Sequence, residues 1–281
     1  MKALHFCVTK LLYQIFLYEI FLIPLNNQAY SQINNHEIAK KVFITGINSL
    51  DFFKSYLPGY TIDTSYIIAF SVGKHYALHT SSIGYLIFTT VYGDESIAAK
   101  AYQQRLMIPQ QMPNREINIA GDESVSWGRG TVFKAGKPAG LGESYIVFRR
   151  NNVVVGINGP FVEELKSCAN QIDQGLLNGS EKQGVFRGQK VPQPELKENP
   201  FTSNLKLNEK YRGHLSIVDP NYRQVQHYIR SSFINIIQKD GSELSMDVEF
   251  LPKRKGYHKI YLYLLNDLNV LNHVELGVNV E

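Results

Sequence analysis

The tetrapeptide Gly-Asp-Glu-Ser occurs twice in the chain, at 93–96 and 121–124, and each copy supplies two adjacent carboxylates. Glycoside hydrolysis requires a pair of carboxyl groups, which makes both copies candidates for that chemistry. Asp94 and Glu95 precede a helical pattern, and we interpret them as a helix start, because acidic residues there cap the chain and complement the helix dipole. Asp122 and Glu123 are therefore the candidate catalytic residues of a hydrolase.

The same segment is also a candidate binding site. An indole offers a large stacking surface and a guanidinium a charged donor, and one of each follows the second tetrapeptide. The alternative is that the indole fills the sheet and the guanidinium is solvated. The candidate binding residues are this indole and guanidinium and the basic pair at the end of a later predicted strand: Trp127, Arg129, Arg149 and Arg150.

Motifs for other chemistries are incomplete. The segment 130–137 ends like a phosphate loop, but its glycine spacing is one residue too long, and Pro138 stands where Ser or Thr would bind Mg²⁺. Ser71 and Lys74 have the Ser-x-x-Lys spacing of penicillin-recognising enzymes, but no Lys-Thr-Gly follows them. We therefore predict no nucleotide site and no such acylation site.

Two groups of residues have the types that bind metal ions. His75 and His79 lie four apart, which on a helix would place both on one face as zinc ligands. Their neighbours favour a strand, where four residues span roughly 13 Å, too far for one ion. Asn266, Asp267 and Asn269 could offer oxygen ligands to Ca²⁺, but a plain turn explains them more simply. We predict no metal and no cofactor.

Charge and cysteine content narrow the class of protein. The 29 basic and 25 acidic residues give a formal net charge of +4, which is too weak and too evenly spread for a nucleic-acid partner. Of the two cysteines, Cys7 falls in the leader described below, so Cys168 has no disulfide partner. Stability must therefore come from hydrophobic cores.

Helices and strands alternate before position 178. We predict helices at 49–57 and 95–107, and Asn151-Asn152, which tolerate positive φ, predict a hairpin turn. Strands are predicted at 60–71, 76–80, 85–92, 117–119, 124–133, 145–149 and 153–157.

The strongest helical pattern begins at Pro160. Its apolar residues recur every three or four positions and form one stripe: Phe161, Leu165, Cys168, Ile172 and Leu176. We therefore expect Cys168 to be buried and inert. An antiparallel sheet with helices on one face, an α+β domain, would bury such stripes.

The second half of the chain has a different pattern. The segment 178–204 is rich in Gly, Pro and polar residues, which is typical of an interdomain linker that orders poorly. Beyond it the hydrophobic period is two: Met246, Val248 and Phe250 alternate with acidic residues, and similar alternation recurs in 259–264 and 274–281. Short strands at this spacing predict an all-β sandwich.

Four features of the segment 205–281 follow one pattern: Leu-Ser-Ile-Val-Asp-Pro at 215–220, Gly256-Tyr257 before the strand 260–264, the Asn266-Asp267 turn and an alternating strand at 274–280. In these features the segment resembles bacterial immunoglobulin-like or filamin-like modules, which implies a spacer or adhesion role. The segments 57–60, 121–124 and 145–155 resemble parts of exported bacterial domains of unknown function, which implies no activity.

The first 31 residues have the layout of a secretory signal peptide. Lys2 and Lys10 precede an apolar run at 11–25, and Ala29-Tyr30-Ser31 offers small residues for cleavage before Gln32. Glu19 interrupts the run, which is shorter than the ~20 residues that a spanning helix needs. An uncleaved anchor and a core helix stay open as alternatives.

These patterns together predict a signal peptide at 1–31, an α+β domain at 32–177, a linker at 178–204 and an immunoglobulin-like β-sandwich at 205–281. We expect an exported bacterial protein, periplasmic or secreted, that is not an enzyme and that binds an envelope protein or glycan, with no membrane span after cleavage. The alternatives are a secreted hydrolase acting through Asp122 and Glu123, and a carrier of a hydrophobic small molecule.

Overall fold

A computed structural model describes residues 41–281. Short gaps at 64–65, 69–70, 80–83, 107–115, 129–130, 135–136, 142–143, 202–203, 222, 232–233 and 240–244 are left out, and the predicted signal peptide lies outside the described residues. Within this part of the chain the structure is mostly β, with antiparallel sheets and three α-helices: α1 Ser49–Tyr56, α2 Glu95–Leu106 and α3 Val162–Asn178. None of these helices has the length and hydropathy that crossing a membrane requires.

The largest sheet has eight strands in the first part of the chain. Its order is β2-β4-β5-β11-β10-β7-β6, with β3 paired to β4, and all neighbours are antiparallel. The strand pairs β1-β12 and β8-β9 form two separate two-stranded sheets. The strands are β1 Phe43–Ile47, β2 Thr61–Ile62, β3 Tyr66–Ile68, β4 Ser71–His79, β5 Gly84–Val91, β6 Glu116–Ile117, β7 Glu123–Trp127, β8 Thr131–Lys134, β9 Lys137–Leu141, β10 Ser144–Arg150, β11 Val153–Gly159 and β12 Val185–Gly188.

Helices cover both faces of this sheet, which corrects the prediction of helices on one face. Ile146 and Phe148 of β10 share a core with α1 and α3, whereas Val147 shares a second core with Ala98 and Tyr102 of α2. Successive strand residues point to opposite faces, and the central strands β10 and β11 are apolar at consecutive positions. Both faces therefore need a cover.

The second part of the chain forms two four-stranded sheets around a shared core. Their orders are β13-β15-β18-β17 and β14-β20-β19-β16, and all pairs are antiparallel except β14 with β20. The predicted alternation is confirmed: Met246, Val248 and Phe250 face Ile260 and Leu262 in one core. The strands are β13 Glu195–Glu198, β14 Asn204–Leu205, β15 Tyr211–Val218, β16 Val225–Arg230, β17 Ile234–Lys239, β18 Ser245–Phe250, β19 Gly256–Asn266 and β20 Leu271–Val280.

The segment 178–204 is more ordered than its composition suggests. It contains a 3-10 helix at Glu181–Gln183, and its strands β12 and β13 pair with β1 and β15. Val185 and Val191 are buried in the core of the first part. A few apolar anchors and backbone pairing are therefore enough to hold this polar segment in place.

The hairpin between β19 and β20 docks onto the first part of the chain. Leu268 and Val270 enter the core that contains α1 and α3. Backbone bonds join Ile47 N to Leu268 O at 2.8 Å and Val91 N to Asn269 O at 2.9 Å. The buried Asn269 side chain donates to Ile47 O and to Ser49 Oγ, both at 2.7 Å. Residues Lys41–Glu281 consequently pack as one compact unit.

Candidate functional site

The second Gly-Asp-Glu-Ser segment turns into the strand β7, beside the end of its neighbour β10. Gly121 has φ +72°, and a Cβ there would lie 2.3 Å from the carbonyl oxygen of Arg149. The backbone N–H of Asp122 donates to this same oxygen at 2.7 Å. Only glycine permits this approach, so the turn brings the Asp122 and Glu123 carboxylates beside the arginine pair.

Asp122 joins two arginines that leave β10 toward opposite faces of the sheet. Its Oδ1 accepts from Arg150 Nη1 at 2.7 Å, and its Oδ2 accepts from Arg149 Nη1 at 3.2 Å and from the backbone N–H of Asn151 at 2.6 Å. Glu123 accepts two bonds from Arg149, at 2.8 and 2.9 Å. We call Asp122, Glu123, Arg149, Arg150 and Asp173 the arginine–carboxylate cluster.

On the other face Arg150 ties the sheet to α3. Its Nε and Nη2 donate to the two oxygens of Asp173 at 2.7 and 2.6 Å, a bidentate pair with the aspartate 8% exposed. Hydrogen bonds to Asp173 raise the pKa of Arg150 above its ordinary value. The planar guanidinium group of arginine suits this bidentate pairing with a carboxylate.

The arginine–carboxylate cluster is arranged as a structural junction. Both oxygens of Asp122 already accept hydrogen bonds, and Glu123 Oε1 accepts two from one guanidinium. A carboxylate held in this way is poorly placed to give a proton to a substrate or take one from it. The structure thus brings together four of the predicted site residues, which form hydrogen bonds with one another: Asp122, Glu123, Arg149 and Arg150.

The remaining predicted site residues lie elsewhere. Trp127 is 4% exposed and stacks on Tyr145, with ring centroids 5.7 Å apart, in the core beneath α2. The exposed stacking surface expected of its indole is therefore not present. Arg129 lies outside the described residues.

The first Gly-Asp-Glu-Ser copy begins a helix, as predicted. Asp94 Oδ1 accepts from the backbone N–H of Ile97 at 2.8 Å, directly before α2. This hydrogen bond lowers the pKa of Asp94. Glu95 forms an ion pair with Lys41.

The candidate metal ligands have other roles in the described part of the chain. His75 and His79 both lie in the strand β4, as predicted. Asn266 is buried and donates to Asp219 Oδ2 at 2.9 Å, and Asn269 holds the docked hairpin. Among the described residues no group of three or more His, Cys, Asp or Glu side chains could hold a metal ion.

Cys168 is buried on α3, as predicted. Its Sγ lies 3.2 Å from the hydroxyl of Tyr60. Burial raises the pKa of the thiol. The pKa of Tyr60 is also raised, mainly by burial and to a smaller extent by the hydrogen bond with Cys168. Both groups are protonated at neutral pH, and these shifts move their titration to still higher pH.

An open cleft on the outer face of the sheet β14-β20-β19-β16 is a candidate binding site within the described part of the chain. Its volume is about 450 Å³, within the range of ligand sites in proteins. Its lining, which we call the tyrosine cleft, consists of Tyr228, Ile229, Arg230, Ser231, Lys259, Tyr261 and Tyr263.

Strand register places the aromatic residues of the tyrosine cleft side by side. Tyr228 pairs with Tyr263 across the strands, and Arg230 pairs with Tyr261. The ring of Tyr263 stacks on His273 at 4.5 Å and on Tyr228 at 6.2 Å. Because Ile260 and Leu262 point into the core, the alternate residues of β19 face outward. The available signal was a run of tyrosines at the outward positions, where charged residues are usual.

A third polar constellation lies on the outer face of the other sheet. His214 of β15 pairs with Asp247 of β18, and its Nδ1 is 2.9 Å from Asp247 Oδ1. Its Nε2 is 2.6 Å from Ser245 Oγ. This is the order of groups in a Ser-His-Asp relay, on an open face where His214 and Asp247 are exposed.

Comparisons with known proteins add little to this geometry. No protein-family model matches the chain, and no curated protein sequence does. Among solved structures the chain is similar to the crystal structure of a GTP-binding regulator from Thermotoga maritima, with a TM-score of 0.31 and 15% identity over 46% of this chain and 94% of that one. A similarity of this size assigns neither a fold nor a function.

Proposed function

We propose that this chain is an exported, non-catalytic binding or scaffolding protein of the bacterial envelope that recognises a protein or glycan partner through the tyrosine cleft. The observation that carries the proposal is the cleft itself, whose lining includes Tyr228, Arg230, Tyr261 and Tyr263. Tyrosine and arginine are enriched where proteins recognise partners, because they offer large contact area and directed hydrogen bonds. The stacked rings are held in place before any ligand arrives, which reduces the entropic cost of binding.

The second part of the chain is, in this proposal, an immunoglobulin-like module. Its two four-stranded sheets around one core support that assignment. The docked β19–β20 hairpin supports a scaffolding role, since it fixes the cleft relative to the first part of the chain.

Capture of a partner from envelope extracts tests the proposed recognition. The purified full chain is compared with Tyr261→Ala, which removes a cleft side chain, and with Tyr257→Ala as the matched control. Tyr257 lies on the same strand and outside the cleft lining. We expect the captured protein or glycan to be lost with Tyr261→Ala and retained with Tyr257→Ala. Equal capture by both variants would contradict recognition through the cleft.

Export is tested by expression of the full chain in a bacterial host, with fractionation and N-terminal sequencing. We expect periplasmic or secreted protein that begins at Gln32. Membrane-bound protein that keeps Met1 would contradict cleavage.

A hydrolase is the second candidate, and the hydrogen-bonded Ser245–His214–Asp247 relay favours it. In such a relay Ser245 Oγ bonds to an ester carbonyl carbon while His214 takes the serine proton and passes it to the leaving alcohol; water then releases the acid. We would expect a fluorophosphonate to label Ser245, with no labelling after His214→Gln. Ser216→Ala is the control, because Ser216 is the cross-strand partner of Ser245. An unlabelled Ser245 excludes this candidate.

The carrier alternative finds no support between helix and sheet. Leu165 and Ile172 of α3 and Ile146, Phe148 and Val155 of the sheet are 0% exposed. A cavity large enough for a ligand would leave exposed surface on such side chains, so packed side chains fill this space.

A further inference from the structure

The charged residues that line the tyrosine cleft are all positive. Its lining contains two cations, Arg230 and Lys259, and no carboxylate. Lys259 Nζ is 2.7 Å from Glu275 Oε1, so its charge is already paired with a carboxylate of the protein. Among the ion pairs of the described residues none includes Arg230, whose side chain donates a hydrogen bond to the hydroxyl of Tyr263. The cleft therefore offers one guanidinium to an acidic group.

The other polar groups of the cleft are hydroxyls. Tyr228, Tyr261 and Tyr263 each carry a phenol and Ser231 an alcohol, and Ile229 is the single aliphatic side chain of the lining. A hydroxyl both donates and accepts hydrogen bonds, which suits a ligand that is itself rich in hydroxyls. The core of a protein–protein interface is usually more apolar than this. A sugar chain therefore fits the lining better than a folded protein does.

The aromatic rings add apolar surface beside these hydroxyls. The planes of Tyr263 and His273 are 6° apart and those of Tyr228 and Tyr263 are 29° apart, so the rings stack on one another across three strands. Stacking covers part of each ring face, and each tyrosine combines an apolar ring with a hydroxyl. Sugars likewise combine C–H patches with hydroxyls.

We propose that the tyrosine cleft binds an acidic polysaccharide, with Arg230 holding a sugar carboxylate and the tyrosine hydroxyls contacting the neighbouring sugar hydroxyls. This inference rests on the proposed binding function and names its ligand class. Guanidinium and carboxylate match in shape and can form two parallel hydrogen bonds, which favours a carboxylated sugar over a neutral one.

The test compares two probes with the same sugar backbone, polygalacturonate and its uncharged methyl ester, with alginate as a second carboxylated chain. Calorimetric titration of the full chain is expected to show binding of the acids that is at least about tenfold tighter than binding of the ester. Arg230→Gln is expected to weaken binding of the acids by about tenfold to a hundredfold and to leave the ester unaffected. Arg212→Gln is the matched control, because Arg212 is an exposed arginine on the other sheet that pairs with Glu249.

The outcomes separate this inference from the proposed function. Equal affinity for acid and ester, or no effect of Arg230→Gln, overturns the acidic ligand. Capture of a protein that Tyr261→Ala abolishes, with no binding of either acidic chain, overturns the sugar ligand and leaves the binding function intact. Thermal unfolding of each variant, expected to match that of the unmodified chain, shows that its fold is retained.

Discussion

Gly46 lies directly against Leu268: a Cβ on the glycine would stand 2.6 Å from Cδ1 and 2.8 Å from Cβ of the leucine. The glycine belongs to β1 and the leucine to the docked hairpin, more than two hundred positions later. The absence of one side chain on β1 thus provides the space that the hairpin occupies, and the packing of the two parts depends on this pair.

Gly46→Ala is expected to lower the free energy of unfolding by roughly 1–3 kcal/mol, because the added methyl overpacks the contact with Leu268. Leu268→Ala removes a buried side chain and should cost about 2–5 kcal/mol. Since the smaller residue makes room for the new methyl, the double variant should lose less than the sum of the two, by about 0.5–3 kcal/mol. Urea unfolding measures all three variants.

Gly59→Ala is the matched control for this cycle. No atom lies within 4 Å of a Cβ at Gly59, so this variant should be neutral or more stable by about 0.4–1 kcal/mol. Strict additivity of Gly46→Ala and Leu268→Ala would show that the two residues do not share a contact in solution.

Asp173→Asn tests the arginine–carboxylate cluster as a structural element. The substitution removes the negative charge to which Arg150 donates two hydrogen bonds. We therefore expect the free energy of unfolding to fall by about 1.5–3 kcal/mol. Glu163→Gln breaks an ion pair with Lys166 on the same helix, where Glu163 is 79% exposed, and should change stability by less than about 0.5 kcal/mol. Denaturant midpoints compare the two. Equal effects would contradict a structural role for the cluster.

Local patterns could be predicted from the sequence, and long-range pairing could not. The alternation of β18 is a local periodicity and is confirmed. The stripe of α3 is confirmed from Leu165 to Leu176, whereas Phe161 precedes the helix and is 44% exposed. Asn151 adopts φ +53° in the hairpin between β10 and β11, as its residue type indicates. A short pattern carries its own geometry, because helix and strand periods are fixed by backbone dihedrals.

The tyrosine cleft and the ion pairs of Asp122 depend on register between distant strands. Tyr228 and Tyr263 are 35 positions apart and meet through the pairing of β16 with β19. Trp127 has the residue type of a binding platform, and burial against Tyr145 decides otherwise. Residue type can indicate a candidate binding group, but tertiary packing determines whether that group is exposed to solvent or buried against other residues.

Cys168 is expected to resist thiol reagents in the folded protein. Burial raises the pKa of its thiol, so little of the reactive thiolate forms at pH 8, and access is blocked as well. Labelling at Cys168, followed by mass spectrometry of its peptide, should be slow in buffer and fast in denaturant. Leu177→Cys is the control, because Leu177 lies on the same helix and is 45% exposed. Rapid native labelling at Cys168 equal to that of the control would contradict its burial.

His273 is expected to make stability depend on pH. Tyr261 and Tyr263 stack on its ring and desolvate it in part, although the residue keeps contact with solvent. This partial desolvation lowers its pKa below the ordinary 6.5, and the nearby Glu275 carboxylate opposes the shift. The unfolded chain therefore takes up the proton first as pH falls below about 6.5, and unfolding free energy declines from there toward the folded pKa. His273→Phe keeps a ring in the stack and cannot titrate. Urea unfolding between pH 5.5 and pH 8 should show a shallower decline for this variant, and parallel curves for the two proteins would contradict a lowered pKa.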